Sequence, residues 1–306
     1  MFAIWTLVRL IGFESVFPAV QLLAFTPYVA LASLLPLAIA ALSRRLWPAV
    51  AATVVMLALA ACVLPRWVPD GDTGPAKAGG PVLRVLSANL LAGGADPDTI
   101  VGLVRAHQVD LVAFQEFTAR AQAALERAGL TELLPHRIAY PVDGVTGSAL
   151  YSRYPLTNGV FHVHEASGFG QARSTLAVPG AAPIEVESVH PCAPSGRSTS
   201  RCWHTDLADQ PAATVNGPVR LLIGDFNATL DHAALRRLIG TGYRDAADVV
   251  GAYARTWPFD ERWYIPAVTI DHVLADRRVG VDSVSVYPVP NSDHRAVFAA
   301  LQLPPA

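Results

Sequence analysis

Lysine is almost missing from this 306-residue chain: Lys77 is the only one, and every other basic side chain is arginine. Charge of either sign is scarce at 16%, whereas 52% of the residues are hydrophobic and the mean hydropathy is +0.34. Such a balance excludes an ordinary soluble domain from end to end. The lack of lysine reads first as coding bias and only second as phosphate chemistry. Cysteine is nearly absent too. Cys62, Cys192 and Cys202 do not combine with histidine at zinc spacing, which excludes a zinc ribbon or finger. There is no P-loop, no internal repeat and no long run of like charge.

What is there is unevenly spread. Residues 1–69 hold four arginines and a single acid, Glu14, while the remainder carries 19 basic and 24 acidic residues, a net −5. Leu46–Leu64 runs 19 residues without a charge, long enough to cross a bilayer. Val20–Leu42 is uncharged for 23 residues, interrupted by Pro27 and Pro36, which membrane helices tolerate. Residues 1–17, broken by Arg9 and Glu14, read as a third span or an interfacial helix. Residues 1–64 are therefore expected to form a membrane region of two or three helices. Arg44 and Arg45 lie in the short loop between the two clear spans and place that loop in the cytoplasm by the positive-inside rule. The rest of the chain then lies outside the cell, as part of a multi-pass membrane protein. Residues 65–81, rich in Pro and Gly, read as a linker, and residues 82–306 are long enough for one sizeable domain.

The body mixes helices and strands at many hairpin-like spacings, which predicts a sheet-rich, two-layer α/β sandwich. Its strands end in an unusual way. Asn89, Glu116, His190, the pair Asp225 and Asn227, Asp271, and Asp293-His294 all stand where an apolar run stops. One such ending is a turn; six suggest a single site gathered at one edge of the sandwich. Asn89, Glu116 and Asp293 are hard oxygen donors that suit Mg²⁺, with Mn²⁺ as a substitute. His190 and His294, with Asp271 nearby, suit acid–base and orienting roles. His162 and His164 alternate on a strand and read as a solvated face. Asp231 and His232 read as a helix cap and its first turn. Cys192 and Cys202 lie ten residues apart just after His190; outside the cell they can form a bridge, and two unpaired thiols are the other reading.

These stretches, "SANLL", "AFQEF", "ESVHP", "IGDFNAT", "TIDHVLAD" and "NSDHRAV", resemble the endonuclease/exonuclease/phosphatase superfamily, in its order and over about Val82 to Leu303. With membrane spans ahead of the domain, the layout is also similar to the glycopeptide (vancomycin/teicoplanin) resistance-associated membrane proteins of actinobacteria, through "FNATLDH" and "RTWP". The resemblance implies a metal held by Asn89, Glu116 and Asp293, and a water positioned or activated by Asp225. It implies phosphate contacts from Asn227 and His190, and a phosphate or proton-transfer role for His294, oriented by Asp271. Arg173 is a candidate phosphate contact or a surface arginine. Trp257 and Trp263 are a candidate substrate wall or a packing loop. The expected function is a membrane-anchored, metal-dependent phosphoesterase acting on phosphate or pyrophosphate groups of lipid-linked, polyprenyl-type envelope substrates. An acidic body without a basic stripe argues against nucleic acid as partner. The rivals are an extracytoplasmic nuclease and a non-catalytic sensor that keeps the fold.

Overall fold

A computed structural model describes residues 1–71, 79–259, 262 and 264–306. Residues 72–78 of the expected linker, with Lys77, lie outside the described residues, and so does Trp263. The chain opens with α1 (Phe2–Ile11), α2 (Ala19–Leu23), α3 (Thr26–Ala32), α4 (Leu34–Leu42) and α5 (Leu46–Val63), the last continued by a 3-10 turn over Leu64–Trp67. The body follows as β1 (Val82–Asn89), α6 (Pro97–Ala106), β2 (Leu111–Gln115), α7 (Ala119–Arg127), α8 (Leu130–Leu133), β3 (His136–Tyr140), β4 (Ser148–Ser152), β5 (Leu156–Val163), β6 (Gly170–Leu176) and β7 (Ile184–Val189). It closes with α9 (Arg197–Ala208), β8 (Val219–Asp225), α10 (Ala233–Gly240), β9 (Tyr243–Asp245), α11 (Ala246–Val249), β10 (Asp271–Asp276), β11 (Gly280–Pro288) and β12 (Arg295–Gln302).

The strands make two six-stranded sheets, ordered β11-β12-β1-β2-β4-β3 and β5-β6-β7-β8-β10-β9. They pack face to face over a core that includes Leu83, Leu111, Val186, Leu221 and Val273. Helices α6 and α7 cover the outer face of the first sheet, while α9 and α10 cover that of the second. This is the sheet-rich α/β sandwich that the sequence predicts. The local signals held where they were strong: Asp96 accepts from the Thr99 amide to start α6, and Thr118 accepts from the Ala121 amide to start α7.

Alternation along each strand explains how the core becomes a site. In β1, Leu83 and Val85 face the other sheet, so Ser87 and Asn89 share that face. The same parity runs through Val219, Leu221 and Ile223 to Asp225, through Ile184 and Val186 to Ser188 and His190, and through Ala275 and Val273 to Asp271. Each central strand is apolar along most of its inter-sheet face and polar at one end. The parallel pairs β1–β2 and β7–β8 bring those ends to the same edge of the sandwich.

The N-terminal region departs from expectation. Among the described residues, one helix, Leu46–Trp67, is long and apolar enough to cross a membrane. The expected span over Val20–Leu42 is divided into α2, α3 and α4, and its continuous apolar part, Thr26–Leu42, is shorter than a span. The polar residues that interrupt residues 1–17 serve the body instead. Arg9 Nε lies 2.7 Å from Asp231 Oδ1, and Arg66 reaches both Asp231 oxygens at 2.7–2.8 Å. All three side chains are buried. The Glu14 carboxylate accepts from the amides of Ala233 and Ala234, each at 2.6 Å. Asp231 is therefore not the cap of α10: the carboxylate at that helix start comes from Glu14, some 220 residues away, where it also meets the helix dipole.

Candidate active site

Most of the strand-end residues converge. Glu116, just beyond β2, accepts from the Asn89 side-chain amide (3.2 Å) and from the Ala92 backbone amide (2.6 Å). Leu91, Ala92 and Glu116 all have positive φ. Such conformations in non-glycine residues cost about 1–3 kcal/mol each and persist where surrounding contacts enforce them. Here they curl the turn after β1 so that its amide reaches the carboxylate. Burial lifts the Glu116 carboxyl above its usual range, with the Asp293 charge adding to the effect and these hydrogen bonds opposing it.

Asp225 closes β8. A Cβ on the preceding Gly224 would lie 2.1 Å from the Val189 carbonyl oxygen, so glycine is required where β7 approaches. Asp225 Oδ2 accepts from Asn89 Nδ2 (3.1 Å), and Oδ1 accepts from the Asn227 amide (2.8 Å). Burial pushes the Asp225 carboxyl up to about 7; the His294 charge pulls the other way, and neighbouring Asp271 and Glu116 reinforce the rise. Asp271 stands directly across the β8–β10 ladder from Asp225 and receives His294 Nδ1 at 2.9 and 3.1 Å. His294 Nε2 then faces Asp225 Oδ2 at 3.7 Å and Asp293 Oδ1 at 3.8 Å. Burial disfavours the His294 imidazolium, but Asp271, Asp225 and Asp293 together push its pKa up to about 10. His190 Nε2 also lies 3.7 Å from Asp225 Oδ2. Burial, with His294 adding, pushes its pKa down to about 3, so His190 is neutral; its Nδ1 has no hydrogen-bond partner among the described residues.

The remaining predicted residues sit differently. Asp293 Oδ2 accepts from Trp257 Nε1 (3.0 Å) and from Arg262 (2.6 Å), so Trp257 faces the cluster as the holder of a carboxylate. Asn227 adopts a left-handed φ of 48° and donates to the Pro191 carbonyl at 3.1 Å. The strand ends at Asp225, so the two polar side chains of "GDFN" are not extended neighbours on one face. Arg173 forms a two-pronged pair with Glu187 at 2.8 and 2.9 Å, within the β6–β7 ladder. His272 points to Asp245 (2.6 Å) and the Ala228 carbonyl (2.8 Å), away from the cluster. Cys192 and Cys202 are disulfide-bonded.

Sequence reasoning missed the supports. The Thr256 hydroxyl accepts from the amides of Ile270 and Asp271. Ser292 donates to the Asn89 carbonyl and accepts from the His294 amide. Arg262 pairs with Asp293. "RTWP" and "NSDH" contain two of these three, but a hydroxyl serving backbone groups has no periodic signature.

Glu116, Asp225, Asp271 and Asp293 crowd carboxylates around one point; burial raises the pKa of Glu116 and Asp225, and the neighbouring negative charges add to the rise. A hard divalent cation relieves that crowding, and oxygen donors from Glu116, Asp293 and Asn89 suit Mg²⁺ or Mn²⁺. As placed, Asn89 presents its NH₂ to the carboxylates and its oxygen to the Leu91 amide (3.0 Å), so coordination through oxygen requires the amide to rotate. Asp225, Asp271 and His294 also bring ligand-type atoms within 4.8 Å of one another. The Asp271–His294 hydrogen bonds already occupy that imidazole's Nδ1, leaving Nε2 and Asp225 towards the site.

Similar folds are known. The chain has a TM-score of 0.58 and 18% identity to an endonuclease/exonuclease/phosphatase from Beutenbergia cavernae, covering 73% of this chain and 72% of that one. An AP endonuclease from Archaeoglobus fulgidus gives 0.57 at 13% identity, covering 71% and 98%. A D. rerio TDP2 humanized by 14 mutations gives 0.57 at 14%, covering 72% and 98%. No curated protein matches the sequence. The model of the Endonuclease/Exonuclease/phosphatase family matches residues 86–294, which takes in Asn89, Glu116, His190, Asp225, Asp271 and His294. With more than half its length in that match, the chain belongs to the Endonuclease/Exonuclease/phosphatase family, whose members are generally divalent-metal-dependent hydrolases of phosphate esters.

Proposed function

We propose that the chain is a membrane-anchored phosphoesterase that removes phosphate from lipid-linked phosphates or pyrophosphates outside the cell. The observation that carries this reading is an apolar cleft of about 390 Å³ between the helical region and the body. Leu31, Leu34, Met56 and Ala60 line its helical side, and Tyr253 and Arg255 its body side. The two residues that follow Arg255 in the chain support the site: Thr256 receives the Asp271 amide and Trp257 holds Asp293. An apolar chain lying in this cleft would have its head group beside the carboxylate cluster. The disulfide supports an oxidising compartment. The narrower resemblance to glycopeptide-resistance membrane proteins, with several spans, belongs to this proposal and rests on the layout of the sequence.

In this reading, Glu116, Asn89 and Asp293 hold Mg²⁺, which would neutralise charge developing on the phosphoryl oxygens. Asp225, poised near neutrality, orients a water and accepts its proton as the oxygen bonds to phosphorus. His294, charged and fixed by Asp271, binds the phosphate and returns a proton to the departing oxygen. Neutral His190 donates to a phosphoryl oxygen, and Asn227 lines the approach.

The test uses the full chain in detergent with Mg²⁺. It compares phosphate release from a polyprenyl pyrophosphate, hydrolysis of a small soluble phosphoester and degradation of single-stranded DNA. Leu31→Trp, which fills the cleft, should slow the lipid reaction about tenfold and leave the soluble reaction unchanged. DNA as the better substrate, or equal slowing of both phosphoester reactions, overturns the lipid reading. The nuclease reading would then take its place, in line with a structural neighbour described as D. rerio TDP2 complexed with single-strand DNA product.

A further inference from the structure

Away from the site, the edge strand β5 carries His162, and His164 follows it. Read from sequence, the two form a solvated face; in the structure both imidazoles meet the C-terminal end of α9. Asp209 Oδ2 lies 2.6 Å from His162 Nε2 and 3.1 Å from His164 Nδ1. Asp206, one turn earlier, is fully buried. Its Oδ2 accepts from the Cys192 amide at 3.0 Å. Its Oδ1 has no hydrogen-bond partner among the described residues and lies 3.9 Å from His164 Nδ1.

Donor and acceptor logic fixes the state of His164. The Gln171 amide is satisfied with its nitrogen donating to Glu187 Oε1 (2.7 Å) and its oxygen accepting from the His190 amide (3.1 Å). That same oxygen lies 2.8 Å from His164 Nε2, so Nε2 carries the proton. In a neutral ring, Nδ1 is then a bare lone pair. It points at two carboxylates, one of which has a buried oxygen with nothing to accept. His164 Nδ1, Asp206 Oδ1 and Asp209 Oδ2 thus converge without a donor among them, and His162 Nε2 completes a set of two nitrogens and two oxygens.

We propose that His162, His164, Asp206 and Asp209 form a second metal site, for a borderline divalent cation of the zinc class. Two imidazoles with two carboxylates are the ligands such ions take in four-coordinate geometry. The Nε2–H of His164 on an amide carbonyl is the outer hydrogen bond that fixes the tautomer of a ligating histidine. His162, His164 and Asp209 have ligand atoms within 4.8 Å of one another, and Asp206 Oδ1, 3.9 Å from His164 Nδ1, joins them by movement of its side chain. The site ties edge strand β5 to α9. Through Gln171 it also fixes the His190 backbone, which links it to the candidate active site without belonging to it.

The experiment measures bound zinc by elemental analysis after equilibration of the full chain against buffered Zn²⁺. It is run on a Glu116→Gln background that weakens the first site. The proposal expects one tightly held zinc that excess Mg²⁺ does not displace. His162→Ala and Asp209→Asn should each weaken binding by about 100-fold. Both side chains are partly exposed, 31% and 51%, so these variants should fold. Co²⁺ added to the unsubstituted chain gives a second readout, the intense visible absorption of four-coordinate cobalt. No zinc retained, zinc retained equally in His162→Ala, or no such absorption would each overturn the proposal, the last two pointing to a proton as the cation shared by His164 and Asp209.

Discussion

The helical front and the sandwich treat apolar side chains in opposite ways. In the sandwich, β2 is buried at every position, Leu111 and Ala113 against the second sheet and Val112 and Phe114 under the helices. In the front region, Leu42 is 85% exposed, Trp47 80% and Leu31 68%. One region satisfies its hydrophobic residues within the chain; the other leaves them exposed, the pattern expected of helices that face lipid. The exceptions are informative. The buried charged residues of the front region, Arg9, Glu14 and Arg66, are those that meet the body, whereas buried Thr6, Thr26 and Ser33 donate to carbonyls within the front region itself. Charge in an apolar region marks where it docks, just as polarity at the end of an apolar strand marks the candidate site.

Breaking the second half of that comparison gives the largest expected effect. Asp225→Asn and Glu116→Gln should each lower Mg²⁺-dependent turnover by about 10³-fold, on the scale of a lost general base or charge stabiliser. Circular dichroism should be unchanged. Near-normal turnover in either folded variant removes these residues from the chemistry.

Breaking the first half comes next. Asp231→Ala leaves Arg9 and Arg66 buried without a counter-charge, which costs about 3–5 kcal/mol. Thermal unfolding should report this as a lower midpoint, or as early release of the front region to protease. The same contact has a pH signature. Burial works against the Asp231 charge, but Arg66 and Arg9 hold its carboxyl below the usual value of 3.8. A depressed folded pKa means the stabilisation is complete above pH 3.8 and is lost as pH falls through the folded value. A stability curve that declines well above pH 4 in the native chain, and equally in Asp231→Ala, would assign the acid sensitivity elsewhere.

The smallest effect sharpens the comparison within the body. Cys192→Ser opens a loop of ten residues and should cost about 2–3 kcal/mol, less than the buried ion cluster. Chemical denaturation of oxidised and reduced protein measures it directly. Equal midpoints would mean that the hydrogen bonds around α9 hold the loop unaided.

The fold and the position of the site were legible wherever physics repeats along the chain. Period-two strands ending in Asn89, Asp225 and Asp271 could be read because the same alternation carries a residue from core to rim. Helix α9 has a weak signal in the sequence, because its buried stripe of Ser200, Trp203, Asp206 and Leu207 is half polar. Strands β3 and β9 pair through backbone and have little apolar pattern of their own. Longest in reach and least visible were Arg9 with Asp231 and Glu14 with α10, since a contact across more than 200 residues leaves no local trace. The pairing of Arg173 with Glu187 was equally hidden, because it depends on strand register.

The Glu14 carboxylate at the start of α10 makes the folded body depend on a segment about 220 residues away. That segment supplies an anion to a helix far along the chain, so the body cannot reach its final form until the front is in position beside it. A fragment cut within the linker would lack that anion and both arginines, and would present Asp231 as a bare buried charge. A fragment holding the body alone is therefore a different molecule from the full chain, and its activity would not measure that of the whole.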